Sequence, residues 1–306
     1  MFNFFKIKKP TILLYGHRGW IGSMYFDFLQ LNYPKLKIIK GDARIEISDE
    51  VIEEINDHHP THIVSFTGRT HGKIGNENIN TIDYLEYPGK LVENVRDNLY
   101  GPLNLAIICK KKNIHYTYLG TGCIFNSLGI DSKTPQMFSE KSLPNYFGSG
   151  YSVVKGFTDR LIKEFPVLNL RIRMPISSIP NNRNFINKIT TYEYICSIPN
   201  SMTVLDEFFP IFTDLILCKK TGTFNCTNPG IISHDQILTM YKEIIDPNFT
   251  WKNMNLEEQS KMLKSDRSNN YLDTSKIENE FPKLKNIHDS MIIVLNKMKL
   301  RMNEKK

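Results

Sequence analysis

Cysteine is scarce: the 306 residues hold five, Cys109, Cys123, Cys196, Cys218 and Cys226. Their number is odd and none are paired at the close spacing of a zinc site, so neither a disulfide framework nor a structural metal is expected. The eight histidines show no ligand spacing either. No apolar run approaches the roughly 18 to 20 residues that cross a bilayer, and the first residues lack the apolar stretch and small-residue cleavage site of a secretory signal. These absences point to a cytoplasmic protein with no membrane partner. Internal repeats and low-complexity segments are missing as well. Charge of one sign is in modest excess, with a formal net charge of +7. The lysines are nonetheless scattered, with only Lys110 to Lys112 and the tail Glu304-Lys305-Lys306 clustered, which argues against nucleic acid as a partner. A positive field of this kind also suits phosphorylated small molecules.

What is present is an ordinary globular balance, 41% hydrophobic and 23% charged, in a chain long enough to bury a proper core. The first half alternates β-rich runs with helical patterns, the signature of a Rossmann-type, doubly wound parallel α/β sheet. Strands are expected at Thr11 to Tyr15, Lys37 to Lys40, His62 to Phe66, His115 to Gly120 and Leu168 to Arg173. Helices fit at about Ile21 to Leu29, Ser48 to Asn56, Gly89 to Lys111 and Tyr151 to Phe165, with Pro60 and Pro166 stopping the helices that precede two strands. After Arg173 prolines recur at Pro175, Pro180, Pro199, Pro210 and Pro229 and the helical stretches shorten. The expected division is a nucleotide-binding domain over residues 1–173 and a small, mainly substrate-binding cap over 174–306. A strand at Thr223 to Cys226 should return to the main sheet, followed by a helix opening at Ser233 and running through Gln236 to Glu243.

The first strand leads into Gly16-His17-Arg18-Gly19-Trp20-Ile21-Gly22. Gly16 and Gly19 permit a tight turn and the close approach of a pyrophosphate to backbone N–H groups, and Gly22 lets the following helix pack on the strand. The context, strand before and helix after, makes this a dinucleotide site that includes Trp20 and Ile21. A 2′-phosphate on the adenosine ribose calls for cations, and Arg18, Lys40 and Arg44 are placed to reach that corner. Asp42 stands among them and favours unphosphorylated ribose. On balance the reading is NADPH. Thr67 and Gly68, after the third strand, should touch the cofactor, and Asn98 should lie near it. Arg69 and His71 point to substrate or to a plain polar loop.

Tyr151 and Lys155 form a YxxxK pair on one helical face. An ammonium so placed lowers the tyrosine pKa, and the phenol can then protonate a ketone oxygen as hydride reaches its carbon. Lys155 can also bond the nicotinamide ribose. Thr121, at the end of the fourth strand, offers a hydroxyl to hold the carbonyl oxygen.

With these residues in order the sequence resembles extended short-chain dehydrogenases. Within them it is similar to the UDP-4-keto-6-deoxyglucose 3,5-epimerase/4-reductases that complete UDP-L-rhamnose in plants and some large DNA viruses. The resemblance runs through Gly16 to Gly22, Gly120-Thr121-Gly122-Cys123-Ile124-Phe125, Tyr151 to Lys155, Arg171-Ile172-Arg173-Met174-Pro175-Ile176, Arg183-Asn184-Phe185-Ile186, Ile198-Pro199-Asn200-Ser201-Met202-Thr203 and Arg267-Ser268-Asn269-Asn270. It implies that Cys123 and Lys188 carry epimerisation. GDP-L-fucose synthase, a cousin, has histidine at the second place, so Lys188 favours the rhamnose branch. It further implies that Asn184, Ser201 and Arg267, with Gly122 and Met202 beside them, bind substrate, and that the chain is a homodimer built on its two long helices. A separate 4,6-dehydratase is expected to supply the keto-sugar. The other four cysteines are expected to fill the core.

The chemistry fits these residue types. A ketone at carbon 4 acidifies the hydrogens at carbons 3 and 5, and inversion needs two acid/base groups on opposite faces. Thr121, Tyr151 and Lys155 would stabilise the enolate oxygen. Reduction destroys the ketone, so epimerisation comes first. Two readings compete with this one. The first is a reductase or epimerase alone, akin to dTDP-4-dehydrorhamnose reductase or GDP-fucose synthase. The second is a nucleotide-sensing protein that kept the fold; it would show degraded catalytic positions, whereas Thr121, Tyr151 and Lys155 are intact.

Overall fold

Alternation at single-residue steps decides the architecture: in the first strand Ile12 and Leu14 pack into one hydrophobic cluster while Leu13 and Tyr15 pack into another, so both faces of the sheet are covered. The structure, a computed structural model, describes residues 9–130 and 134–304, which leaves Lys305 and Lys306 of the basic tail outside the described residues. The sheet consists of β1 (Thr11–Tyr15), β2 (Lys37–Lys40), β3 (His62–Ser65), β4 (His115–Thr121), β5 (Val167–Ile172) and β6 (Gly222–Asn225). All pairs are parallel, in the order β2-β1-β3-β4-β5-β6. The winding direction reverses at β1, so the crevice beyond the carboxyl ends of β1 and β3 is the topological switch point where a Rossmann-type sheet takes its ligand.

The principal helices are α1 (Trp20–Asn32), α2 (Ser48–His58), α3 (Lys90–Val95), α4 (Gly101–Lys112), α5 (Gly150–Ile162), α6 (Phe185–Ile189), α7 (Leu205–Leu217), α8 (His234–Ile244) and α9 (Ile287–Asn303). Helices α2, α4 and α5 cover one face of the sheet, through Val51, Ile55, Leu105, Cys109 and Ile162. On the other face α1 and α7 meet the sheet through Tyr25, Leu29, Phe208 and Phe212. Strand β6 returns to the main sheet as expected, and α7, which also lies beyond residue 173, packs on the main layer with it. Pro210 lies inside α7, whose apolar face is deep enough in the core to hold the helix despite the missing N–H.

The segment expected as one helix from Gly89 to Lys111 is interrupted by a π-helical turn, Arg96–Tyr100, between α3 and α4. That turn faces Asn98 inward, where it is 1% exposed and its amide donates to the Arg69 carbonyl and accepts from the Arg69 N–H, both at 2.9 Å. A hairpin with strands Gly72–Ile74 and Glu77–Ile79, unforeseen from the sequence, projects from the same corner. The smaller layer has its own core, including Ile186, Ile195, Met202, Leu238, Met291 and Leu295 from α6, α8, α9 and their connections.

Candidate active site

The glycine turn sits at the mouth of the switch-point crevice. Gly16 adopts φ +81°, and a Cβ there would lie 2.7 Å from the Phe66 carbonyl carbon. A Cβ on Gly22 would lie 2.2 Å from the Gly16 oxygen, so α1 starts against the turn with no room for a side chain. The crevice, about 540 Å³, is lined by Gly16, Arg18, Gly19, Arg44, Thr67, Gly68, Arg69 and His71 among others. Its cations are matched by carboxylates: Arg18 pairs with Asp42 at 2.5 Å, Arg44 with Glu46 at 2.5 Å and Arg69 with Asp97 at 2.8 Å. The backbone N–H groups of Asp42 and Arg44 are held by Glu54 and Glu50, which fixes the loop after β2. Shape, glycine cradle and exchangeable arginines fit a dinucleotide.

At the carboxyl end of β4 the chemistry gathers. The Cys123 N–H donates to the Thr121 hydroxyl at 3.1 Å, and the Ser152 hydroxyl donates to the Cys123 carbonyl at 2.7 Å. Ser152 follows Tyr151 in the first turn of α5, which Ser149 caps by accepting from the Ser152 N–H at 3.1 Å. Thr121, Cys123 and Tyr151 are thereby tied into one cluster, with Cys123, Tyr84 and Leu85 packed about the Tyr151 ring. Burial pushes the Tyr151 phenol above its ordinary range and the neighbouring Cys123 adds to this, while a hydrogen bond with Thr121 opposes it. Burial brings Lys155 down to about 7 against the attraction of Asp159 and Cys123.

Lys188 on α6 donates to the Asn80 carbonyl at 3.2 Å. Its ammonium is pushed below the usual lysine range by burial first and by Arg183 and Arg267 next. Arg183 donates to the His71 ring, whose pKa falls to about 4 through burial and the surrounding cations Arg183, Arg69 and Lys188. Arg267 is held by Asp83 at 2.5 Å. Burial raises the Asp83 carboxyl, but hydrogen bonds from Arg267 and Thr81 outweigh it and hold the group low.

No family model matches the chain. The crystal structure of the L780 UDP-rhamnose synthase from Acanthamoeba polyphaga mimivirus does, with a TM-score of 0.90 and 51% identity over 94% of this chain and 99% of that one. A bifunctional dTDP-4-dehydrorhamnose 3,5-epimerase/dTDP-4-dehydrorhamnose reductase of Arabidopsis thaliana is 41% identical over 92% of this chain and 91% of its own length. The chain belongs to this family of nucleotide-sugar epimerase/reductases. A trifunctional UDP-glucose 4,6-dehydratase/UDP-4-keto-6-deoxy-D-glucose 3,5-epimerase/UDP-4-keto-L-rhamnose-reductase of the same plant is 40% identical over 93% of this chain, which matches 42% of that protein.

Within this epimerase/reductase, several residues sit differently from the sequence expectation. Lys155 does not bear on the Tyr151 phenol: its ammonium donates to the Tyr118 hydroxyl and lies 4.5 Å from that ring's centroid. The phenol is accordingly raised by burial, where the pairing alone predicted a fall. Lys40 stands over the Phe26 ring at 4.2 Å, outside the crevice lining, because β2 is an edge strand whose exposed ends face solvent. Asn184, Ser201 and Met202 are fully buried and offer a ligand no surface. Asn184 caps α6 and donates to the Ser177 carbonyl, and the Ser201 hydroxyl accepts from the Leu272 N–H at 3.0 Å. Gly122 is buried under Leu272, its carbonyl bonded to Asn270. Trp20, Ile21 and Gly22 form the start of α1, and Asn98 acts through Arg69. Cys218 is exposed, not core, whereas Cys109, Cys196 and Cys226 are buried. Sequence reasoning gave no role to Ser152, Asp83 or Arg173. Their partners come from distant segments, Arg267 for Asp83 and Cys123 with Ser268 for Arg173, so no local pattern singles them out.

Proposed function

We propose that the protein converts UDP-4-keto-6-deoxy-D-glucose to UDP-L-rhamnose, inverting carbons 3 and 5 and then reducing carbon 4. The observation that carries this is the tying of Cys123 between Thr121 and Ser152, next to Tyr151, at the end of β4. A reductase alone has no need of a thiol in that position. Cys123 and Lys188 exchange the protons at the carbons flanking the ketone, one removing and the other returning. Thr121 and Tyr151 hold the ketone oxygen, and a phenol with a raised pKa is in the protonated form that reduction needs as a donor. NADPH, when bound, supplies the hydride to carbon 4. Gly16, Gly19, Thr67 and Gly68 would hold its pyrophosphate and nicotinamide halves, with Arg18 and Arg44 near the 2′-phosphate. Lys155 fixes the floor through Tyr118. Arg69, His71 and Arg267 form the polar rim toward the nucleotide diphosphate.

The protein works as a cytoplasmic homodimer fed by a 4,6-dehydratase. None of the five cysteines is in a disulfide, and among the described residues no helix is long and apolar enough to cross a membrane. The dimer face is the row Leu91, Val92, Val95 and Tyr100 on α3 and its π turn with Phe157 and Leu161 on α5, all exposed. The deciding experiment supplies UDP-4-keto-6-deoxyglucose and NADPH in deuterium oxide. The expected product is UDP-L-rhamnose with two carbon-bound deuterons from solvent. A reduced sugar without them leaves only the reductase.

A further inference from the structure

Arg173 is 1% exposed, and among the described residues no carboxylate pairs with it. Its guanidinium donates to the Cys123 Sγ at 3.3 Å, to the Ser268 hydroxyl at 2.8 Å, to the Asn200 Oδ1 at 2.5 Å and to the Ser268 carbonyl. Among the described residues the Nε has no partner. Burial lowers its affinity for the proton, and Cys123 and then Tyr146 oppose this. The contrast with Arg171, two residues earlier, is instructive: that guanidinium is equally buried but donates twice to the Asp159 carboxylate, at 2.8 and 2.7 Å. A buried cation with only neutral acceptors is expensive. Among the side chains that Arg173 touches, the thiol alone can become an anion.

We propose that Arg173 is the positioning residue for Cys123, aiming the sulfur with the Nη1–H and placing a cation against it where negative charge gathers during proton transfer. The inference rests on the reading of Cys123 and Lys188 as the epimerisation pair. In each inversion the thiolate takes a proton from the carbon next to the ketone and becomes a thiol, while electron density moves onto the ketone oxygen. The ammonium of Lys188 returns a proton to the opposite face and becomes an amine. Passing one proton from thiol to amine through solvent resets the pair, so no oxidant or further reactant is consumed. Arg173 keeps its proton throughout and touches neither carbon.

The test compares Arg173→Met, Arg173→Lys, Asn200→Asp and Cys123→Ser with the parent protein. Three readouts are needed: solvent deuterium entering the 4-keto-sugar without reduced cofactor, reduction of a 4-keto-sugar already inverted at carbons 3 and 5, and alkylation of Cys123 by iodoacetamide followed by mass spectrometry. Arg173→Met is expected to slow deuterium entry by about 100-fold and alkylation by about tenfold, with the loss in reduction at least about ten times smaller than the loss in exchange. Arg173→Lys should recover much of the alkylation rate, because it restores a cation. Asn200→Asp, an isostere, offers the guanidinium a competing anion and should produce the same split if Arg173→Met fails to fold. Alkylation at the parent rate in Arg173→Met or Asn200→Asp, or equal losses of exchange and reduction, would overturn the proposal. Cys123→Ser separates the two levels: loss of its exchange beside an unaffected Arg173→Met sinks this inference alone, and persistence of its exchange sinks the epimerase assignment with it.

Discussion

Arg18 and Asp42 pair at the lining of the crevice, and on the proposed reading this contact lies where the adenosine ribose would bind and would set cofactor preference. The pair is exposed, 78% and 64% at the side chains, so solvent screening leaves it weak and exchangeable. A 2′-phosphate gains the Arg18 fork but meets the Asp42 carboxylate, whereas free ribose hydroxyls gain Asp42. Asp42→Asn should therefore raise the ratio of NADPH to NADH affinity, and Arg18→Gln should lower it, each by about tenfold. Fluorescence titration of the two reduced cofactors reads this without turnover; equal ratios in both variants would remove Arg18 from the phosphate site. Lys155 supplies a second prediction. Its folded pKa is about 7 against 10.5 for a free lysine, so between these values the unfolded chain binds more protons than the folded one. Its contribution to stability thus rises with pH across that window, and the penalty is full below it. Lys155→Met should flatten the rise of melting temperature between about pH 7 and pH 10.5, and an unchanged profile would show the ammonium to be solvated.

At the level of elements, sheet strands proved readable to within a residue or so at each end because alternation and flanking turns are local signals. Helix α5 starts within a residue of the expected Tyr151 but ends at Ile162, three residues before the expected Phe165, and Tyr151 and Lys155 lie on it as their spacing implies. Helix α7 has no local signature, because Pro210 argues against a helix and only the burial of Phe208, Phe209 and Phe212 on its apolar face outweighs that. The π turn between α3 and α4 was also invisible, as one widened turn leaves the apolar periodicity almost intact. It nonetheless places Asn98 against the Arg69 backbone. Asn98→Ala leaves that part-buried N–H and carbonyl without their Asn98 partner and is expected to cost about 1 to 3 kcal/mol in chemical denaturation. It should also raise the cofactor KM more than it lowers kcat, because Arg69 lines the crevice. A KM like the parent's would confine Asn98 to stability.

For the molecule as a whole, the exposed row on α3 and α5 is the largest test. Leu91 is 61% and Val92 71% exposed, a placement unfavourable in a monomer and ordinary in a symmetric helical interface. The double variant Val92→Arg, Phe157→Arg is expected to sediment as a monomer with the parent's circular dichroism. A parent protein already monomeric at micromolar concentration would rule out the homodimer.

The residue order by itself determined the parallel sheet, the glycine turn and the helical face shared by Tyr151 and Lys155, because each depends on neighbours a few positions apart. Tertiary structure alone decided which partner each buried charge received: Lys155 goes to Tyr118, Arg267 to Asp83 and Arg173 to Cys123 and Ser268. Those contacts join segments distant in the chain, and packing selects them by fit and by the cost of leaving buried polar groups unpaired, a condition that no local pattern encodes.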